Sequence, residues 1–217
     1  MLFAHLDAAF GWDTFSREHA DLPLARELAA RPVGLLQHML ASGINAPLTS
    51  SCGRLFDAAA AAVGICKDAI AYEGQAAIEL ESHCGPLDGA TGYPFAFTDQ
   101  AGARVLDPAP MWRALCDDLA AGAGPRDVAT RFHAGLANAL TELSVELAAA
   151  HGLETVALSG GVLQNRTLFE ALCARLRAAD LAVLSHHRVP SNDGGLALGQ
   201  AVAAALMLAE TDRIGEL

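Results

Sequence analysis

The sequence predicts a helix-rich α/β fold. Two observations carry that reading. Alanine, the strongest helix former, dominates the segments between glycines and prolines. The C-terminal third then alternates helical and strand patterns in the order helix, strand, helix, strand, helix. That order calls for a parallel strand pair joined by a right-handed crossover. A chain of 217 residues with 53% hydrophobic content can bury its own core as a single domain, residues 1–217. A charged content of only 18% does not fit intrinsic disorder.

Residues 1–50 are expected to form a helical N-terminal segment packed on the rest. Phe3, Leu6, Phe10 and Phe15 recur there at helical spacing, and Pro23 opens a helix running to about Ala30. After Arg31-Pro32, the residues Val33, Leu36 and Leu40 mark a short helix closed by Gly43. A loop from Asn45 to Ser51 leads into a helix from Arg54 to Val63, and another covers Gln75 to Glu81. Tyr93, Phe95 and Phe97 alternate with small or polar residues, as on a half-buried strand, and Ala103–Leu106 returns as its hairpin partner. Pro108 to Ala121 is helical. The apolar stripe Val128, Phe132, Leu136, Leu140, Leu143 and Leu147 defines a long amphipathic helix whose stripe is read as core. Strands at Thr155–Leu158 and Leu181–Leu184 flank a helix marked by Leu168, Leu172 and Leu176, and a final helix runs to about Leu208.

Composition narrows the function. Fourteen Lys and Arg against 25 Asp and Glu give a formal net charge of −11. This argues against a surface built to coat nucleic acid or anionic lipid. The longest apolar run, Ala201–Ala209, is about half a membrane span, so no transmembrane helix is expected. Five cysteines at wide spacings (Cys52, Cys66, Cys84, Cys116 and Cys173) fit free thiols in a reducing cytoplasm better than disulfides or a zinc site. The start Met1-Leu2-Phe3-Ala4-His5 lacks the basic residues of a secretory signal, so none is expected.

Three segments could carry chemistry. Ser159-Gly160-Gly161 leaves a strand and enters a helix through Gln164-Asn165-Arg166. Two glycines let a backbone approach a ligand, and the amides at the helix start would favour an anion, with Gln164 and Asn165 adding hydrogen bonds to a nucleotide. An ordinary strand–helix turn has the same pattern. Pro190-Ser191-Asn192-Asp193-Gly194-Gly195 follows the next strand; Asp193 is either a helix-capping acid or an oxygen ligand for a metal. Lying after neighbouring parallel strands, the two turns should converge at the carboxyl end of the sheet. Asp57 falls among alanines in a helix, where its carboxylate is either solvent-exposed or placed to meet a ribose hydroxyl. His186-His187 would point to opposite sides of a strand, so joint metal ligation is not expected. The other six histidines form no i,i+4 ligand pair, and Cys52 has no nearby base to make it a nucleophile.

Four ordered strings carry a resemblance: Ser-Ser-Cys-Gly-Arg-Leu-Phe-Asp (50–57), Tyr-Glu-Gly-Gln-Ala-Ala-Ile-Glu-Leu-Glu (72–81), Leu-Ser-Gly-Gly-Val-Leu-Gln-Asn-Arg (158–166) and Pro-Ser-Asn-Asp-Gly-Gly-Leu-Ala-Leu-Gly-Gln (190–200). Together they resemble the HypF carbamoyltransferase family of nickel–iron hydrogenase maturation, in the C-terminal part of its domain related to threonylcarbamoyl-adenosine transferases. The resemblance implies the second lobe of an actin-like ATPase or sugar-kinase-type fold, with a mixed sheet and crossover helices. It implies carbamoyl-adenylate made from carbamoyl phosphate and ATP, and transfer of the carbamoyl group to the C-terminal cysteine of a HypE-like acceptor. Asp57 and Gly74 would hold the nucleoside. Gly160, Gly161 and Asn165 would form the phosphate and nucleotide loop, and Asp193 would help hold a divalent metal: magnesium, iron or zinc.

The chain also departs from that pattern. No histidine pair of the kind that completes the family's metal site occurs, and five scattered cysteines cannot form two four-cysteine zinc sites. The expectation is therefore a lobe whose partner lobe is supplied in cis or in trans, binding nucleotide weakly and not turning over alone. It is either a truncated piece or one half of a split transferase. A non-catalytic module that binds a partner or dimerises is the competing reading. A relative acting on another acceptor, such as a tRNA adenosine, is the third.

Overall fold

The computed structural model describes residues 1–215, with side chains through residue 208. Ten helices and two two-stranded sheets make up these residues. The N-terminal segment folds as α1 (Leu2–Phe10), α2 (Trp12–Glu18), α3 (Pro23–Ala29) and α4 (Val33–Ser42), followed by α5 (Cys52–Ala62) and α6 (Gln75–His83). A hairpin of β1 (Ala96–Gln100) and β2 (Ala103–Asp107) precedes α7 (Ala109–Ala120) and the 27-residue α8 (Pro125–His151). Then come β3 (Thr155–Leu158), a 3₁₀ turn (Gly161–Gln164), α9 (Arg166–Ala178), β4 (Ala182–Ser185), a second 3₁₀ turn (Asp193–Gly195) and α10 (Leu196–Gly215).

The long helix α8 organises the core, because most of the buried residues in its first four turns are apolar and meet several other elements. Phe132 stands edge-on to Phe56 of α5, with ring centroids 4.9 Å apart. Leu136, Ala137 and Ala139 are buried with it, alongside Trp112 and Leu115 of α7. Only that half of the predicted stripe is core: Leu140 and Leu143 are half-buried, and Leu147 is exposed. Helices α1 and α2 bring Phe3, Leu6, Trp12 and Phe15 into the same core. Arg113 of α7 donates a 2.6 Å hydrogen bond to the carbonyl of Ala9, and His5 stacks on Trp112. Helix α4 has no buried residue.

The backbone crosses α8 at very close range at Gly92-Tyr93. The Tyr93 N–H donates to the Arg131 carbonyl at 2.9 Å. A Cβ on Gly135 would lie 2.6 Å from the Tyr93 nitrogen, and one on Gly92 would lie 2.5 Å from the Gly135 Cα. Glycine at both positions is what lets the chain lie directly on the helix. The Tyr93 hydroxyl donates to Asp118, whose carboxylate also pairs with Arg131, and the Arg131 guanidinium lies over the Tyr93 ring. Desolvation and the neighbouring carboxylate hold the Tyr93 hydroxyl protonated.

The expected mixed sheet is not formed. The hairpin and the parallel pair are separate sheets among the described residues. Strand patterns report where a chain extends, and not which strands meet. The hairpin strand also starts at Ala96 rather than Tyr93, because Tyr93 is held against α8 by its own backbone bond. The parallel pair is as expected, with Thr155 to Leu158 in register with Ala182 to Ser185. Its inner face, Val156, Leu158 and Val183, packs with Ala148, Leu176 and Leu181. Its outer face carries Thr155, Ala157, Ala182 and Leu184, all exposed. No helix among the described residues is long and apolar enough to cross a membrane.

Candidate functional site

Strands β3 and β4 end side by side, so the turns that follow them emerge together. The Gly160 N–H donates to the Ser191 carbonyl at 2.8 Å and ties the two turns. Gly160 has φ 109°, a conformation side chains resist, which is why a glycine follows Ser159. Between the turns lies a cavity of ≈ 590 Å³. Gly160, Gly161, Asn192 and Asp193 line it, with His186, Ser159 and the start of α10. His186 lies 2.9 Å through Nε2 from the Ser159 hydroxyl, bridging the mouth of the cavity. Its part was not legible in the sequence, although its position as the first residue past β4 is the signal that could have found it.

Asp193 is not the cap of the helix that follows. Asn192 caps the 3₁₀ turn that precedes α10, its side-chain oxygen accepting from the Gly194 N–H at 3.1 Å. The Asp193 carboxylate makes no hydrogen bond or ion pair among the described residues and is exposed. It is therefore available to an external ligand.

The expectation that the start of the helix after Gly161 would offer its amides to an anion is corrected. Two first-turn amides of α9 are occupied: Leu168 N–H donates to Asn165 Oδ1 and Thr167 N–H donates to Glu81 Oε1, both at 2.8 Å. Capping by side chains removes those donors from any ligand. Asn165 is itself buried, at 8% exposure, and its amide nitrogen lies 2.9 Å from Nε2 of His133, which is fully buried in α8. His133 Nδ1 is 2.7 Å from the Ala129 carbonyl, an acceptor only, so Nδ1 carries the proton and Nε2 accepts from Asn165. Burial lowers the pKa of His133 and keeps the ring neutral, which matches this tautomer. The pair fixes where the glycine turn ends and α9 begins. Glu81 and His133 both act on the turn from other elements, and neither stood out in the sequence.

The remaining candidates lie elsewhere. Asp57 sits on α5, paired with Arg54 at 2.8 Å, and lines a separate cavity of ≈ 390 Å³ with Met1, Arg31 and Lys67. Gly74 is left-handed at φ 80° and opens α6. Neither borders the cavity between the two turns. No group of three or more His, Cys, Asp or Glu among the described residues is placed to hold a metal ion. All five cysteines are free; burial pushes the Cys52 thiol up to about 11 and Cys116 to about 12, so neither supplies a thiolate near neutral pH.

Residues 1–200 match the family described as "Carbamoyltransferase, Kae1-like Domain, second subdomain". A carbamoyltransferase HypF of Rhodobacter capsulatus is 45% identical over 183 residues, which are 84% of this chain and 23% of that protein. A carbamoyltransferase HypF homolog of Cupriavidus necator is 41% identical over 186 residues, 82% of this chain and 45% of that protein. The fold matches a crystal structure of full-length HypF in the phosphate- and nucleotide-bound form at a TM-score of 0.80 and 31% identity, covering 92% of this chain and 26% of that one. The chain thus spans about a quarter to under half of the relatives it matches.

Proposed function

Because the chain belongs to the HypF carbamoyltransferase family, we propose that it is the lobe of a carbamoyltransferase that holds the phosphate end of an adenine nucleotide. The observation that carries this reading is the convergence of the Gly160–Gly161 and Asn192–Asp193 turns on one cavity. The likeness to a HypF crystallised with phosphate and nucleotide supports it, although those ligands belong to that protein.

In this reading the complete transferase has the two-lobed, actin-like form, and the ligand is carbamoyl-AMP made from carbamoyl phosphate and ATP. The thiolate of a HypE-like acceptor attacks the carbamoyl carbon; the C–S bond forms, the bond to the phosphate oxygen breaks, and AMP departs. This chain needs no nucleophile of its own. Gly160 and Gly161 let the phosphate approach the backbone, the His133–Asn165 pair holds that turn still, and His186 with Ser159 borders its mouth.

The donor set decides what cation fits. A single free carboxylate, Asp193, beside a phosphate-sized cavity suits a hard, oxygen-preferring ion shared with substrate phosphates, in the manner of magnesium, and not a complete protein cage for iron or zinc. Such an ion would neutralise phosphate charge and polarise the bound acyl phosphate. The rest of its shell would come from the substrate phosphates, water and the partner lobe, in cis or in trans, and we assign the nucleoside contacts to Asp57 and Gly74.

Titration calorimetry tests the reading. AMP with magnesium is expected to bind the 217-residue chain, and Asp193→Asn to weaken the magnesium-dependent part at least about tenfold, about 1.4 kcal/mol. If no adenine nucleotide binds the wild-type chain, the non-catalytic module replaces this reading.

A further inference from the structure

A phosphate seated between the two turns would meet no guanidinium or ammonium, because no Lys or Arg among the described residues lines that cavity. Ionised phosphate oxygens accept hydrogen bonds, so donors must come from the turns themselves. One is already spent: the Gly160 N–H donates to the Ser191 carbonyl. Asp193, the sole carboxylate among the lining residues, can only accept when ionised.

Ser159, the residue just before the glycine pair, can supply a donor on one condition. Its hydroxyl lies 2.9 Å from Nε2 of His186, and both residues line the cavity. A hydroxyl has a single proton to give. If Nε2 is bare, that proton points at the imidazole, and the cavity meets oxygen lone pairs, which repel an anion. If Nε2 carries a hydrogen, His186 donates to Ser159 Oγ, and the hydroxyl proton is free for the cavity. The direction of this one hydrogen bond decides whether the cavity is offered a donor or an acceptor. The neighbouring His187 does not share the task, being engaged with Ser185 at 3.2 Å.

We propose that Ser159 is a catalytic residue of the transfer, donating to the phosphate oxygen that leaves the carbamoyl carbon, and that His186 is its positioning residue, donating to the hydroxyl through Nε2. The proposal rests on the phosphate reading above and names the donor that reading lacks. The phosphate of carbamoyl-AMP bears one negative charge. Attack by the acceptor thiolate forms the C–S bond and breaks the C–O bond, and the electron pair of that bond stays on the departing oxygen. AMP thus leaves with a second negative charge, and Ser159 and His186 both keep their protons. A donor aimed at that oxygen binds more strongly as the charge develops, and this difference lowers the barrier.

AMP and its phosphate methyl ester separate the two states. At about pH 8 AMP is doubly charged and its terminal oxygen is bare, whereas the ester keeps that oxygen capped and carries one charge, as the substrate does. Both are titrated calorimetrically into the 217-residue chain with magnesium. Ser159→Ala and His186→Ala are each expected to weaken AMP about tenfold and the ester by less than about twofold. His186→Gln, whose side-chain amide can still donate to the hydroxyl, should keep most of the affinity for AMP. The double variant Ser159→Ala/His186→Ala should bind AMP as Ser159→Ala does, since His186 acts only through the hydroxyl. His187→Gln should change neither ligand. Equal losses for AMP and the ester, or additive losses in the double variant, overturn the proposal and leave the phosphate reading in place. So does AMP binding that Asp193→Asn weakens and Ser159→Ala does not. If AMP fails to bind the wild-type chain at all, the phosphate reading falls and this proposal falls with it.

Discussion

Gly135→Ala is expected to destabilise the chain by about 3 kcal/mol, lowering the unfolding temperature by about 6–12 °C. The sign is the informative part. Gly135 lies in the middle of α8, where helix propensity alone favours alanine by about 1 kcal/mol. Against that, the new Cβ would lie 2.6 Å from the Tyr93 nitrogen. Backbone cannot swing aside as a long side chain can, so either the Tyr93 N–H bond to Arg131 breaks or α8 shifts against Phe56 and Trp112. Gly92→Ala meets the same crossing from the other side and should cost a similar amount. Thermal unfolding of the two variants decides the matter, and any stabilisation by Gly135→Ala would show that the crossing is looser than described.

The second large effect is expected at Asn165. As a helix cap alone, Asn165→Ala would cost about 1 kcal/mol. Here it also strips the donor from a fully buried histidine, which adds about 1–3 kcal/mol for an unpaired acceptor. A total of about 3 kcal/mol is expected, with weaker nucleotide binding as the turn loosens. The pH dependence follows from His133. Its folded pKa lies below 6.5, so below pH 6.5 the unfolded chain takes up a proton that the folded chain refuses. Stability is thus fully present above pH 6.5 and falls as pH drops towards the folded value, by at most about 1.4 kcal/mol per pH unit from this group. His5, also lowered by burial, acts in the same direction. Asn165→Asp keeps the cap but places an acceptor against Nε2, which favours the charged ring. That variant should lose less stability than wild type between pH 7 and pH 5 in denaturant titrations; an equal loss would remove His133 from the account.

Much of this architecture was legible in the residues. The period of Val128, Phe132 and Leu136 located α8, and Thr155–Leu158 was read to the residue. The convergence of the Gly160 and Asp193 turns followed from parallel pairing alone. What escaped was of one kind. The partnership of His133 with Asn165 joins positions 32 residues apart, and that of Glu81 with Thr167 joins positions 86 apart. Nothing local in either residue marks its partner. The stripe extends to Leu147 because periodicity records an apolar face, whereas burial depends on what lies opposite; Leu147 is left 42% exposed. The exposure of α10 escaped for the same reason. Its apolar sequence marks a helix but does not show what lies beside it, and the described residues leave it exposed.

Manganese, a paramagnetic stand-in for magnesium, tests the central claim most directly. Added with AMP to the ¹⁵N-labelled chain, it should broaden the amide resonances of Ser159, Gly160, Gly161 and Gly194 together, affect those of the hairpin residues Asp99–Arg104, which do not line that cavity, far less, and lose its effect in Asp193→Asn. Broadening confined to one turn, or unchanged by that substitution, would contradict a shared cation and phosphate site between the two turns.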